Sequence, residues 1–411
     1  MKSHPTPPKI PRPLPAPRVS SPLLGALLDR LGPADTASLN HELEALTAQG
    51  TPLVETPPAE ATAADEQIVT FLYKHPSAQR VLIFINRLTD ERNLADSLME
   101  PVGQSSYFAI SFRMKKDWRA SYCFIVQELD HAAPWEAAFN QWQLRQALDE
   151  GVTDPHNPLR CLNSRGRELS VVQLEQAPLQ PYLSDSQPHE SAWLRTSGGR
   201  QYFLCRLGQL EPGSPIVCLL DGEQWLSMGL KGMLMAAHQD KYLPSCLFIF
   251  VHSGGREQRW QEQAGDFPFA DFLADELLVE ALEGTAQKLG EQEIVVVGQS
   301  LGGLSALLAV LKRPDVFTAA CAQSASLWQE IAFSQLEDAS QDQALSPRHR
   351  LFLEVGEQEW VLLPAHERFV TRARELGVMV DYQTYNGGHD YACWRGSLIP
   401  ALRRLLHEGL K

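Results

Sequence analysis

The stretch VVVGQSLGGLSALLAVL, Val295 to Leu311, decides the fold. An apolar, β-branched run leads into Gly298-Gln299-Ser300-Leu301-Gly302, and a segment with helical apolar spacing follows at once. This is G-x-S-x-G between a strand and a helix. In that context the glycines let the chain turn sharply without Cβ clashes, so the Ser300 hydroxyl projects above the C-terminal edge of a sheet. The helix N-terminus, starting with the N–H of Leu301, then faces the charge that develops on an attacked carbonyl oxygen.

Reading outward, SPIVCLLDG, SCLFIFVHS, QEIVVVGQS, TAACAQSAS and RLFLEVGEQE are short apolar runs, too apolar for solvent-facing strands. Buried parallel strands fit them. The helical spacing of FADFLADELLVEALEGTAQKLG and GLSALLAVLKRP between them implies right-handed crossovers, and so an α/β fold from about residue 200 onward. No internal repeat is visible.

Attack by serine on an acyl carbon needs a base, and an α/β-hydrolase takes its partners in the order Ser, then Asp or Glu, then His. Downstream of Ser300 stand His349, His366, His389 and His407. His349 lies in the charged SPRHR, and His366 and His407 lie in predicted helices. Only His389 follows a predicted strand, GVMVDYQTYN, in the glycine-rich TYNGGHDYACWRG. The acid is expected just past RLFLEVG, where Glu359 is favoured over Glu357; Asp390 and a Ser–His dyad stay open. The second oxyanion donor is expected after the strand in CLLDGEQW, from the backbone N–H of Glu223 or its neighbour.

The N-terminal half has another texture. LLGALLDRLG and TASLNHELEALTAQG read as amphipathic helices, the second opening on a Thr/Ser cap. EQIVTFLYKH, QRVLIFINRL, SSYFAISFRM and ASYCFIVQEL then predict a small antiparallel sandwich over roughly residues 65–130. Residues 131–190, with DPHNPLR and QAPLQPYLSDSQPHE, read as irregular and linker-like. The expected layout is a poorly ordered Pro-rich arm over 1–20, a β-rich N-terminal domain with flanking helices and linker over 21–190, and the catalytic domain over 191–411.

The 411 residues suit two domains, and the 44% hydrophobic content permits a large core. A net charge of -14 argues against nonspecific nucleic-acid binding, which needs excess Lys and Arg. No apolar stretch reaches bilayer length, and the Pro-rich arm carries no apolar core of signal-peptide length. Seven scattered cysteines without a CxxC pair fit free thiols in a reducing cytoplasm better than a zinc site.

Taken together, LLDGEQW, GQSLGGLSALLAVLKRPDVF, LFLEVGEQE and GGHDYACWRGSL resemble the enterochelin esterase family, and DWRASYCFI, DPHNP and QAPLQP resemble its N-terminal domain. The resemblance runs from about residue 60 to the C-terminus. It implies an α/β-hydrolase domain with a mostly parallel central sheet, preceded by a smaller β-sandwich-like domain. It further implies a cofactor-free, cytoplasmic serine esterase that hydrolyses the trilactone of ferric enterobactin or related catecholate siderophores. By that likeness Ser300 is the nucleophile, His389 the base and Glu359 the acid, while Trp394 and Arg395 match the family's WRG. One departure is the segment Arg259-Trp260-Gln261-Glu262-Gln263, which keeps the Arg and Glu of a family R-x-x-E-L pattern but not its Leu.

An anionic ferric tris-catecholate requires local positive charge on an acidic protein. Arg259, Arg395 and the cluster RMKKDWR, Arg113 to Arg119, are the candidates, with Trp225 and Trp394 as stacking surfaces for catechol rings. The fold also admits an esterase or acyltransferase on another acyl ester, or a silent siderophore-binding relative. The oligomeric state is left open.

Overall fold

The computed structural model describes residues 7–57, 64–128, 133, 144, 146–148, 150–186, 192–264, 268–283, 285, 287, 289–290 and 292–407. The chain divides into two compact units. One comprises Arg12–Pro178 together with Asn386–Cys393; the other comprises Met1–Pro11, Leu179–Tyr385 and Trp394–Lys411.

In the first unit, strands β1 (Arg18–Val19), β2 (Leu53–Glu55), β3 (Glu66–Lys74), β5 (Glu100–Pro101) and β6 (Tyr107–Lys115) form an antiparallel sheet in the order β1-β6-β3-β2, with β5 also on β6. The second sheet runs β4-β7-β9-β8, from β4 (Arg80–Ile85), β7 (Arg119–Gln127), β8 (Arg160–Leu162) and β9 (Glu168–Gln173). Phe71, Phe112, Ile83, Tyr122 and Phe124 belong to one core shared by the sheets. The outer face of the first sheet is covered as well: Leu72, Tyr107 and Ala109 pack on helices Pro22–Leu31 and Thr36–Thr47 through Leu24, Leu27, Leu39 and Leu43. Cover on both faces is why β3 and β6 read as apolar runs broken in their middle only by Thr70 and Ser111, whose hydroxyls bond each other (2.8 Å).

Three expectations are corrected here. The second helix is capped by the Asp35 carboxylate, which accepts from the Ser38 N–H, and not by Thr36 or Ser38. The stretch read as an irregular linker supplies β8 and β9, and its DPHNP is a buried polar staple. Asp154, fully buried, accepts from Thr51 Oγ1 (2.8 Å), the His156 N–H (3.0 Å) and the Tyr122 hydroxyl (2.8 Å), while Asn157 Nδ2 donates to the Tyr122 hydroxyl (3.0 Å) and the Val171 carbonyl (2.9 Å). Finally, residues 1–6 of the arm expected to be poorly ordered lie outside the described residues, but its later part contributes β1, and its Arg12 guanidinium donates to the carbonyls of Arg87, Leu88 and Thr89.

The second unit holds an eight-stranded sheet ordered β10-β11-β13-β12-β14-β15-β16-β17. Its strands are β10 (Leu194–Arg195), β11 (Gln201–Leu207), β12 (Ile216–Leu220), β13 (Cys246–Val251), β14 (Ile294–Gln299), β15 (Ala319–Gln323), β16 (Arg350–Gly356) and β17 (Met379–Tyr385). From β13 to β17 all pairings are parallel; β10 and β11 add antiparallel. Strands β12 and β14 are entirely buried, as apolar strands between helical layers must be. The order reverses beside β12, so the C-terminal ends of β12 and β14 flank the switch point where open α/β sheets bind ligands. All seven cysteines are buried and none is in a disulfide; burial pushes the Cys123, Cys218 and Cys246 thiols up to about 12. Among the described residues no helix is long and apolar enough to cross a membrane.

Candidate active site

Ser300 follows β14 with φ 59° and ψ -117°, a backbone state that a side chain-bearing residue holds only when its surroundings enforce it. The enforcement is visible. The Ser300 N–H donates to the Gln323 carbonyl (3.0 Å), and the Ser300 carbonyl accepts from the N–H groups of Ser326 (2.9 Å) and Leu304 (3.1 Å). A methyl on Gly298 would fall on the carbonyl of Gly302, so the first glycine of the motif is obligatory. At Gly302 the nearest atom to such a methyl is Asp221 Oδ2 at 3.5 Å, which leaves room, whereas Gly303 is tighter, 3.1 Å from Ala325 Cα. Ser300 is half-buried at the mouth of helix Leu301–Lys312, whose first N–H groups, that of Leu301 included, have no carbonyl within the helix to bond.

At the neighbouring strand end, Asp221 is left-handed (φ 54°, ψ 40°) and leads into the short helix Gly222–Ser227, placing the Glu223 N–H in its first turn. The Glu223 carboxylate accepts from the N–H (3.0 Å) and the hydroxyl of Ser253, tying this turn to the loop after β13. The structure gives two expected substrate contacts different work. Arg259 makes a bidentate pair with Asp221 (2.7 and 2.8 Å) and donates to the Gln299 carbonyl (3.2 Å), which clamps the ends of β12 and β14. Trp225 is 1% exposed and donates its indole N–H to Gln299 Oε1 (2.9 Å), so it packs the core beneath the elbow and offers no stacking face.

The two candidate glutamates separate clearly. Glu357 is exposed and accepts from Thr384 Oγ1 (3.2 Å), whereas Glu359 is buried, with Oε1 accepting from Ser324 Oγ (2.5 Å), the Gly356 N–H (3.0 Å) and the Tyr385 hydroxyl (3.3 Å). Trp394 is also buried, its indole N–H donating to Ser324 Oγ (2.9 Å), and buried Arg395 donates through Nε to Gln180 (3.1 Å). These two side chains brace the start of the last helix. A role as open contacts for a catechol or a charge does not fit that burial.

His389 belongs to the segment Asn386–Cys393, which goes with the first unit. There the Asn386 carbonyl accepts from the Arg119 N–H (3.1 Å), Asn386 Nδ2 donates to Asp117 (2.6 Å), and Asn86 Nδ2 donates to the His389 carbonyl (3.1 Å). Asp390, the alternative acid, accepts from the N–H groups of Ser121 (2.6 Å) and Ala392 (2.9 Å), a capping and anchoring task. The basic cluster Arg113 to Arg119 is largely answered locally: Arg113 faces Glu66 (3.5 Å), Lys116 faces Glu175 (3.4 Å), and buried Arg119 donates to Gln173 and the Pro178 carbonyl.

Residues 209–405 match the family model described as a putative esterase, and residues 68–183 match the enterochelin esterase N-terminal domain. The chain belongs to the enterochelin esterase family. An iron(III) enterobactin esterase of Escherichia coli is 28% identical over 363 residues, covering 81% of this chain and 90% of that protein. An iron(III) salmochelin esterase, also of Escherichia coli, is 26% identical over 404 residues, covering 92% and 96%. The crystal structure of ferric enterobactin esterase from Salmonella typhimurium superposes with a TM-score of 0.74 at 26% identity, covering 90% of this chain and 99% of that one.

For this enterochelin esterase family member, the residues that sequence reasoning missed are polar side chains set into apolar strands or into the turns just beyond them. Ser324 (φ 47°) and Tyr385 hold Glu359, and Asn86 with Asp117 holds the histidine segment. Gln323 and Glu354 are fully buried in β15 and β16. A carboxylate in the middle of RLFLEVG was the one available signal, because a buried charge needs partners and so marks a built site.

Proposed function

We propose that this chain is a serine esterase that hydrolyses the ester bonds of a ferric catecholate siderophore with a trilactone backbone, enterobactin or a relative of it, in the cytoplasm. The observation that carries the reading is the main chain of Ser300, held at φ 59° and ψ -117° between a buried strand and the N-terminus of an apolar helix. That conformation has a cost, and an acyl-transfer nucleophile is the use that explains it. Family membership supports the substrate class, and seven cysteines without a disulfide fit a reducing compartment.

In the proposed mechanism His389 takes the Ser300 proton as Oγ attacks a lactone carbonyl. The backbone N–H groups of Leu301 and Glu223 receive the oxyanion, and Glu359 orients the imidazole and stabilises its cation. The seryl alkoxide leaves with the proton from His389, and a water activated by the same imidazole clears the acyl-enzyme. The iron belongs to the substrate.

The test compares hydrolysis of ferric enterobactin with that of a simple aryl ester, alongside labelling of Ser300 by a fluorophosphonate. The expected results are preference for the siderophore, labelling at Ser300, and loss of turnover by at least about 1,000-fold in Ser300→Ala. A strong preference for the aryl ester refutes the substrate class, and full turnover by Ser300→Ala refutes the mechanism.

A further inference from the structure

Four polar residues stand in register across the C-terminal ends of four adjacent parallel strands. Gln299 of β14 pairs with Gln323 of β15, Gln323 with Glu354 of β16, and Glu354 with Gln383 of β17. Residues in register on a parallel sheet point to the same face, so the four side chains form one row. Gln299, Gln323 and Glu354 are buried, and Gln383 is half-buried.

The row is hydrogen-bonded end to end, and in one direction. Trp225 Nε1 donates to Gln299 Oε1 (2.9 Å), Gln299 Nε2 to Gln323 Oε1 (2.8 Å), and Gln323 Nε2 to Glu354 Oε1 (2.7 Å). Ser397 Oγ (2.5 Å) and Gln383 Nε2 (2.9 Å) add donors to the Glu354 carboxyl. An indole can only donate and a carboxylate can only accept, so the two ends dictate how both amides between them are turned.

We infer that this row is a positioning device for the nucleophile, with the donor at Trp225 and the acceptor at Glu354 setting its polarity. The inference rests on Ser300 being the nucleophile, as proposed above. Gln299 is the residue before Ser300. Gln323 meets the elbow a second time through its main chain, since its carbonyl accepts the Ser300 N–H (3.0 Å). The same strand that carries Glu354 presents the Gly356 N–H to Glu359 Oε1 (3.0 Å), and the Ser324 N–H donates to the Glu354 carbonyl (2.7 Å). One row therefore pins the strand register under the elbow and under the buried acid. A fully satisfied buried polar network admits one arrangement, whereas an apolar row of the same size would tolerate small slips.

Polarity supplies the test. Gln299→Glu puts an acceptor at both ends of the row, and the single amide of Gln323 can then satisfy only one of them. Adding Glu354→Gln moves the carboxylate from one end to the other. Gln323 then turns over, donates to the carboxylate now at position 299 and accepts from the amide now at position 354, so the row is matched again with reversed sense, while the Trp394 carbonyl, to which Gln323 Nε2 also donates (2.9 Å), loses its donor and keeps the recovery partial. Glu354→Gln alone is the milder change, because half-buried Gln383 can turn its amide to meet the new N–H. The measurements are the second-order rate of fluorophosphonate labelling of Ser300 per folded molecule, and kcat and KM on an aryl ester.

Displacement of a nucleophile by an ångström costs about 100-fold, so Gln299→Glu is expected to slow labelling by that order with KM unchanged, and Glu354→Gln by about threefold. The double variant is expected to regain about 10-fold over Gln299→Glu, the behaviour of coupled sites and not of independent ones. A merely structural row would lower the unfolding midpoint in each variant and leave labelling per folded molecule as it was. Wild-type labelling in Gln299→Glu, or a double variant no faster than the single, overturns the inference. Should Gln299→Glu fail to fold, Trp225→Phe, which removes only the donor end, decides: labelling slowed several-fold supports the row, and the wild-type rate overturns it. A wild-type protein that takes no label sinks the Ser300 reading itself, which is a separate failure.

Discussion

Ser300 and His389 are held by unlike means. The elbow is fixed by regular structure: the buried end of β14, the Gly298 approach to helix Leu301–Lys312, the Arg259 clamp on Asp221, and a row of buried amides beneath it. The histidine segment has no regular structure of its own before the last helix begins at Tyr391. It is held by side-chain amides and main-chain bonds from residues near β4 and β7, among them Asn86, Asp117, Arg119 and Ser121, all far from it in sequence. Rigidity at the elbow is thus local to one sheet, while rigidity at the histidine is borrowed from the N-terminal unit. Damage to the first unit should therefore appear as a catalytic defect.

The largest effect expected on the elbow side is Gly298→Ala, where the added methyl meets the Gly302 backbone and the helix must move. It should lower kcat on an aryl ester by about 1,000-fold or prevent folding, whereas Gly302→Ala, with 3.5 Å to its nearest neighbour, should cost no more than about tenfold. Equal losses at the two glycines would mean that motif identity, not the close approach at Gly298, governs the turn. Next in size is the proposed acid. On the proposed mechanism Glu359→Gln should cost about 100-fold in kcat, and exposed Glu357→Gln should cost less than about twofold. A reversed order would return the acid to Glu357.

The histidine side should yield smaller losses, because what opposes change there is side chain and not backbone. A methyl on Gly388 would meet the root of the Arg87 side chain and the Asn86 amide oxygen, so the turn at Arg87 must shift along with the Asn86 side chain. Gly388→Ala and Asn86→Ala are each expected to lower kcat by about tenfold with KM nearly unchanged, and to spare fluorophosphonate labelling less than they spare the unfolding midpoint. If Asn86→Ala changes stability alone, the first unit does not orient His389 and the contrast between the two regions fails.

How far each region could be read from the sequence follows the same division. The elbow was legible because its requirements are local: an apolar strand, glycines at fixed offsets and a helix start, all within Val295 to Leu311. The loop of His389 after β17 was legible from its glycines, but Asn86, some 300 residues earlier, gave no sign of holding it. The parallel strands were read correctly because burial on both faces leaves unbroken apolar runs. Where polarity stood for turn or linker the reading failed: Asp154 and Asn157 of DPHNP are buried and partnered, and β8 and β9 follow them. Trp225 and Arg259 illustrate the converse error. Residues beside a motif invite assignment to the substrate, yet their partners, Gln299 and Asp221, become known only when the strand ends are brought together.

The smallest expected effect concerns stability and not rate, and it lies in the elbow's own support. Burial pushes the Glu354 carboxyl above the ordinary carboxylate range, with Ser397, Gln383 and Gln323 donating in opposition and the charge of Glu359 adding to the rise. An acid whose pKa is raised on folding keeps its proton in the native state where the unfolded chain has already released it, so the native state binds more protons and stability falls as pH rises through that window. The loss should begin above the ordinary value of 4.5 and level off once the folded group has also ionised. Glu354→Gln cannot titrate. Urea unfolding midpoints of wild type and Glu354→Gln should therefore move apart as pH is raised from the carboxylate range toward neutrality, the variant gaining relative to wild type. A difference that does not vary with pH would mean that the three donors offset burial in full, and that the carboxylate is held ionised beneath the elbow at the same pH as in the unfolded chain.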